Sequence, residues 1–132
     1  MSDAGGDDAG GDGGFAALLG AEASATGEGS ASVSFEAREE HLNPAGTLHG
    51  GVLATLVDTA MGMAVRTATG EDDVPATSQL TVTYLRPGKP GPLSVRAQVR
   101  SRGEHLTVCD ADVEQDGKEL AHAVATFAVL HH

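Results

Sequence analysis

Two strand-like runs, one long amphipathic helix and four further strand-like runs follow one another along 132 residues. That order predicts an α+β fold, with the long helix laid against a mainly antiparallel sheet of about six strands. Three observations carry the prediction. Apolar residues recur at helical spacing over residues 50–69, without a gap. The flanking runs alternate apolar and polar residues with the period of half-buried strands. Glycine- and proline-rich turn signals separate them. The length suits one domain whose core needs neither metal nor disulfide support, and no internal repeat divides it.

Residues 1–14, MSDAGGDDAGGDGG, contain six glycines and four aspartates. Nothing there offsets the entropy of ordering, so a disordered acidic tail is expected, with one folded domain over residues 15–132. The segment FAALLG followed by AEASA has small residues like those of a signal-peptide cleavage region. The acids before it, the lack of Lys or Arg and the short apolar run exclude that assignment. A short helix is expected over residues 15–19, and strands over 21–26 and 30–37 about a turn at Gly27, Glu28 and Gly29. In the second strand Val33 and Phe35 alternate with Ser32, Ser34 and Glu36.

The helix carries Leu53, Leu56, Val57, Ala60, Met61, Ala64, Val65 and Ala68 on one stripe and is about 30 Å long. Gly70, Glu71, Asp72 and Asp73 are expected to end it. Strands follow over 76–85, 93–102, 106–115 and 119–130. The segment RPGKPGP separates the first two, and Asp116-Gly117 gives a tight hairpin between the last two.

The hairpin between 93–102 and 106–115 allows its register to be deduced. Leu93, Val95, Ala97 and Val99 share a face, as do Cys109, Ala111 and Val113. Paired residues must share a face, so the loop is expected to have three residues, Gly103, Glu104 and His105. Arg96 then stands opposite Asp112, while Arg100 and Arg102 stand opposite Val108 and Leu106 and lack acidic partners.

Composition excludes several classes. Nineteen acids against eight Lys and Arg give a net charge of −11, which argues against nucleic acid as a partner. Such a surface also suits solubility in concentrated salt. No stretch approaches the ~20 apolar residues of a membrane span. Cys109 is the single cysteine, so neither a disulfide framework nor a thiolate metal cluster is available, and a cytoplasmic location is expected.

The chemistry concentrates at the start of the helix, in HLNPAGTLHGG, residues 41–51. A helix N-terminus presents unpartnered N–H groups and partial positive charge. Gly50 and Gly51, lacking Cβ atoms, allow an oxygen to approach closely, so they either form an oxyanion hole or simply make a tight turn. Asp58 lies two turns on, at the edge of the apolar stripe, beside the small residues Gly51, Ala54, Thr55 and Gly62. That flank leaves room for a ligand or a second subunit, or leaves Asp58 as a solvated acid. Asn43 and His49 can each donate to a carbonyl or orient the loop. His41, His49, His105 and His122 show no metal-ligand spacing, so no metal is expected.

Taken together, His41, Asn43, Gly46, His49, Gly50 and Gly51, followed by Leu56-Val57-Asp58, closely resemble the hotdog-fold acyl-CoA thioesterases of the phenylacetate-pathway (PaaI) type. The resemblance runs from about residue 15 to residue 130 and includes TVTYLRP, residues 81–87. It implies a long central helix wrapped by a strongly curved antiparallel sheet. It also implies hydrolysis of acyl-CoA thioesters, aryl and phenylacetyl groups among the acyl types, to free acid and coenzyme A.

In that resemblance the Gly50 N–H polarises the thioester carbonyl, with Gly51 beside it and help from Asn43 and His49. Asp58 is the catalytic carboxylate, as general base or as nucleophile, and Thr77 orients the water. The site lies at a dimer interface with the acid from the opposite subunit, and dimers pair into tetramers. No cofactor is implied, coenzyme A being part of the substrate. Its phosphates would need local positive charge in this acidic chain, from Arg100 and Arg102 with Arg86 and Lys89 behind them. Phe15, Leu53, Leu56, Met61 and Tyr84 are the candidates for contact with the acyl group. The alternatives are a non-catalytic acyl-CoA-binding sensor or scaffold of the same fold, and a hotdog hydratase. The second would call for an Asp-His arrangement on the loop and helix that the sequence lacks.

Overall fold

A computed structural model describes residues 14–70 and 72–131. The acidic tail expected over residues 1–14 therefore lies outside the described residues, except for Gly14, which opens helix α1 (Gly14–Leu19). Strands β1 (Glu22–Gly27) and β2 (Ser30–Ala37) precede helix α2 (Gly50–Ala68), and β3 (Asp73–Tyr84), β4 (Gly91–Arg102), β5 (Leu106–Gln115) and β6 (Lys118–His131) follow it. The six strands form one antiparallel sheet in the order β1-β2-β4-β5-β6-β3. Helix α2 touches every strand, so the sheet curves around it.

This arrangement follows from the patterns. In β2 the buried residues are Ala31, Val33, Phe35 and Ala37, and they meet Leu53, Leu56, Val57, Met61, Ala64 and Val65 of α2 in one core. Leu56 and Met61 are wholly inside that core, which removes them from any acyl pocket. The β5–β6 hairpin turns on Asp116 (φ 55°) and Gly117 (φ 76°), two left-handed residues that match the twist of the strands they join. Helix α2 ends without a left-handed glycine: Thr69 is extended, and Asp73 accepts from the Gly70 N–H at 3.1 Å.

The β4–β5 register sets Arg96 opposite Asp112, as face matching requires, but it departs from expectation towards the loop. A β-bulge between Val99 and Ser101 takes Arg100 out of the ladder, so Ser101 faces Val108 and Arg102 faces Thr107. Arg100 does have an acidic partner. Its Nε donates to both oxygens of Asp110 at 2.9 Å. The Arg96 guanidinium lies 3.6 Å from Glu114, and Asp112 is engaged by His122.

Strand β3 closes one edge of the sheet with twelve residues and is bonded only to β6 among the described residues. A long uncovered edge of this kind is a template for pairing with another chain. No described helix is long and apolar enough to cross a membrane.

Candidate active site

The loop before α2 is built around Asn43. Its Oδ1 accepts from the N–H groups of Ala45 (3.0 Å) and Thr47 (3.1 Å), and its Nδ2 donates to Thr47 Oγ1 (3.0 Å). Asn43 thus folds the loop as a side-chain mimic of a backbone turn. His41 packs its ring against Phe35, and its Nδ1 accepts from the Arg38 N–H at 2.9 Å.

His49 is the N-cap of α2. Its Nδ1 accepts from the Gly51 N–H at 2.8 Å, which places the ring proton on Nε2. A cap of this kind contributes about 1 kcal/mol. It also uses the Gly51 donor, and Val52 N–H bonds back to the His49 carbonyl at 3.0 Å. The Gly50 N–H has no acceptor among the described residues and stands at the positive end of the helix.

The Gly50 carbonyl accepts from Tyr84 Oη at 2.8 Å, tying the helix start to the end of β3. A Cβ on residue 50 would lie 3.2 Å from the phenol, so a larger residue there would have Tyr84 shift by a few tenths of an ångström. Gly50 opens onto a cavity of about 300 Å³ lined also by Leu53, Tyr84, Arg86 and Pro87.

Asp58 and Thr77, 19 residues apart in sequence, meet where α2 crosses β3. Thr77 Oγ1 donates to Asp58 Oδ1 at 2.7 Å. A bulge between Thr77 and Gln79 lies at this point of β3. Both residues line a second, larger cavity of about 480 Å³, which includes Phe15, Thr55, Gly62, Arg66 and Phe127 but not Gly50. Eight residues of helix separate Gly50 from Asp58, a rise of about 12 Å. Within one chain, then, the unpartnered donor and the carboxylate open onto different cavities.

Of the basic residues expected near a nucleotide, Arg86 lines the Gly50 cavity and donates to the Glu119 carbonyl at 2.8 Å. Lys89 pairs with Asp116 at 3.3 Å and Arg100 with Asp110. Arg102 has no ion-pair partner among the described residues.

Sheet pairing also creates a cluster that sequence spacing did not announce. Asp112, Glu119 and His122 bring one donor atom each within 4.8 Å of one another. His122 Nδ1 lies 2.7 Å from Asp112 Oδ1. The bond to Asp112 raises the His122 pKa above its ordinary 6.5. The Asp112 carboxyl is held below its ordinary range by its hydrogen bond with Glu119 and then by His122, and the shared bond raises Glu119.

The His122 contribution to stability is complete below pH 6.5 and fades as pH rises through its raised folded value. The Asp112 contribution is present above 3.8 and is lost as pH falls through its lowered folded value. The melting-temperature gap between the protein and His122→Asn should therefore be largest on the acid side of 6.5 and shrink as pH rises through the raised folded value of His122. The groups are half exposed, so the gap is small; a gap independent of pH would remove the ion pair as its cause.

The thioesterase superfamily model matches residues 45–122 of this chain. A solved structure of a conserved protein from Pseudomonas aeruginosa superposes with a TM-score of 0.86 at 30% identity, covering 90% of this chain and 95% of that one. The PaaI protein from the phenylacetic acid degradation operon of E. coli superposes with a TM-score of 0.79 at 31% identity, covering 86% and 81%. Acyl-coenzyme A thioesterase 13 of Homo sapiens is 38% identical over 87 residues, 63% of this chain and 61% of that protein.

Proposed function

The chain belongs to the thioesterase superfamily, and from that premise we propose that it hydrolyses acyl-CoA thioesters through a site shared between two subunits. The observation that carries this is the split along α2: Gly50, whose N–H has no acceptor among the described residues, lines one cavity and a Thr77-held Asp58 lines another. A second copy that brings its Asp58 cavity against the first copy's Gly50 cavity unites a carbonyl-polarising donor with a base. The small flank of α2 and the uncovered β3 edge supply surfaces for such a contact.

In the united site the thioester carbonyl oxygen accepts from the Gly50 N–H, where the helix dipole favours the negative charge that develops as water adds. Asp58, its Oδ1 held by Thr77, takes the proton from that water with its remaining lone pairs. The tetrahedral intermediate then expels the coenzyme A thiolate, and the proton held by Asp58 passes to it, giving the thiol and returning Asp58 to its carboxylate. His49 and Asn43 act on this step by fixing the loop that presents Gly50. Arg86 beside the Gly50 cavity and the unpaired Arg102 are the groups proposed for the nucleotide phosphates, with Arg100 contributing less because Asp110 neutralises it.

The direct test is thiol release by the purified protein from a panel of acyl-CoAs, aryl and phenylacetyl esters included. Release with at least one ester supports hydrolysis. Tight binding of the whole panel without release would make the domain an acyl-CoA binder and overturn it.

A further inference from the structure

The Asp58 cavity holds a positive charge that hydrolysis itself does not use. Arg66 lines the same wall as Asp58 and Thr77, eight residues further along α2, a rise of about 12 Å. The same cavity is lined by the apolar Met63, Leu80 and Phe127 together with Thr55, Thr59 and Gly62. Gly62 adds no side chain to this stretch and lies beside the Phe127 ring. Side chains on a helix lean toward its N-terminus, the direction in which Asp58 lies from Arg66. Among the described residues no carboxylate pairs with Arg66.

A carboxylate and a guanidinium about 12 Å apart along α2, in one cavity that Met63, Leu80 and Phe127 also line, match a substrate with a reacting carbonyl, a methylene spacer and an anionic terminus. Resting on the hydrolase proposal above, we propose that Arg66 is a specificity-determining residue that selects acyl groups ending in a carboxylate. The planar guanidinium can hold that carboxylate through two parallel hydrogen bonds, which a neutral alkyl end forfeits. Asp58 disfavours an anion close to itself, so the spacer must carry the carboxylate along the cavity to Arg66.

The test compares adipyl-CoA with hexanoyl-CoA, esters of equal carbon count, and repeats the pair as N-acetylcysteamine thioesters, which lack the nucleotide. The protein should favour the adipyl ester by about tenfold to a hundredfold in kcat/KM on both carriers. Arg66→Met should collapse that ratio toward one, and Arg66→Lys should restore part of it. An adipyl-to-hexanoyl ratio that Arg66→Met leaves unchanged overturns the proposal. So does equal loss on both coenzyme A esters with none on the N-acetylcysteamine pair, which would assign Arg66 to the phosphates. If no ester is hydrolysed, the hydrolase proposal fails separately. Calorimetry with the matched non-hydrolysable thioethers then decides Arg66: a carboxylate preference abolished by Arg66→Met sustains it, and equal affinities overturn it.

Discussion

Asp58→Asn is expected to lower thioester turnover by about 10²–10⁴-fold while leaving melting temperature and acyl-CoA affinity close to those of the unchanged protein. The substitution is nearly isosteric. Asn keeps the carbonyl oxygen that accepts from Thr77 Oγ1, so the link between α2 and β3 survives. It removes only the capacity to take a proton. The carboxylate sits in an open cavity at the flank of the helix and not in the core, so its loss creates no void and leaves no buried charge unpaired. Steady-state kinetics with thermal unfolding and analogue binding check the three parts together. Near-normal kcat in a folded variant would take Asp58 out of the mechanism.

Gly50→Pro should be nearly as damaging, by about 10²–10³-fold, through loss of one backbone donor. Residue 50 is the first residue of α2, where proline is tolerated because its missing N–H has no helical partner, and His49 already has the extended backbone that must precede proline (φ −60°, ψ 132°). Gly50→Ala is the control. It adds a Cβ 3.2 Å from the Tyr84 phenol, as proline also does, but keeps the N–H. Activity lost with proline and largely retained with alanine isolates the donor. Equal losses would show that crowding of Tyr84 is the cause.

The same two variants test whether the site is shared. Asp58→Asn subunits co-expressed with Gly50→Pro subunits should recover about a quarter of the original activity, since half of randomly formed dimers are mixed and each holds one intact site. If mass measurements show mixed dimers that remain as inactive as the parents, both halves of the site belong to one chain.

Much of this site can be read along the chain, because its parts lie on one helix and the loop before it. The glycines at the head of α2 and the acid two turns on are features that packing does not demand, and helical spacing places them. The Thr77–Asp58 bond is different: it joins residues 19 apart through the packing of α2 on β3. The family resemblance assigned Thr77 to orienting the water, and its bond to Asp58 is visible only in the structure. The assignment of Arg100 as unpaired failed for a definite reason. Face matching assumes an unbroken ladder, and the bulge at Arg100 inserts a residue that alternation cannot reveal. Nothing in the spacing of Arg66, a basic residue in the last turn of α2, shows that it shares a cavity with Asp58.

By itself the sequence determined the element order, the apolar stripe of α2, the tight turn at Asp116-Gly117 and the chemical types gathered at residues 41–58. Periodicity and turn chemistry are local, so they survive without knowledge of the fold. Only the tertiary structure decided that His49 takes up the Gly51 donor and leaves Gly50 free, that Asn43 is committed to its own loop, and that the donor and the carboxylate open onto separate cavities. The His49 and Asn43 bonds, two to four residues apart, depend on which local hydrogen-bonding groups are already used, and the separation of the cavities depends on distances between α2 and the sheet. Such distances are set by the packing of α2 against all six strands and cannot be counted off along the chain.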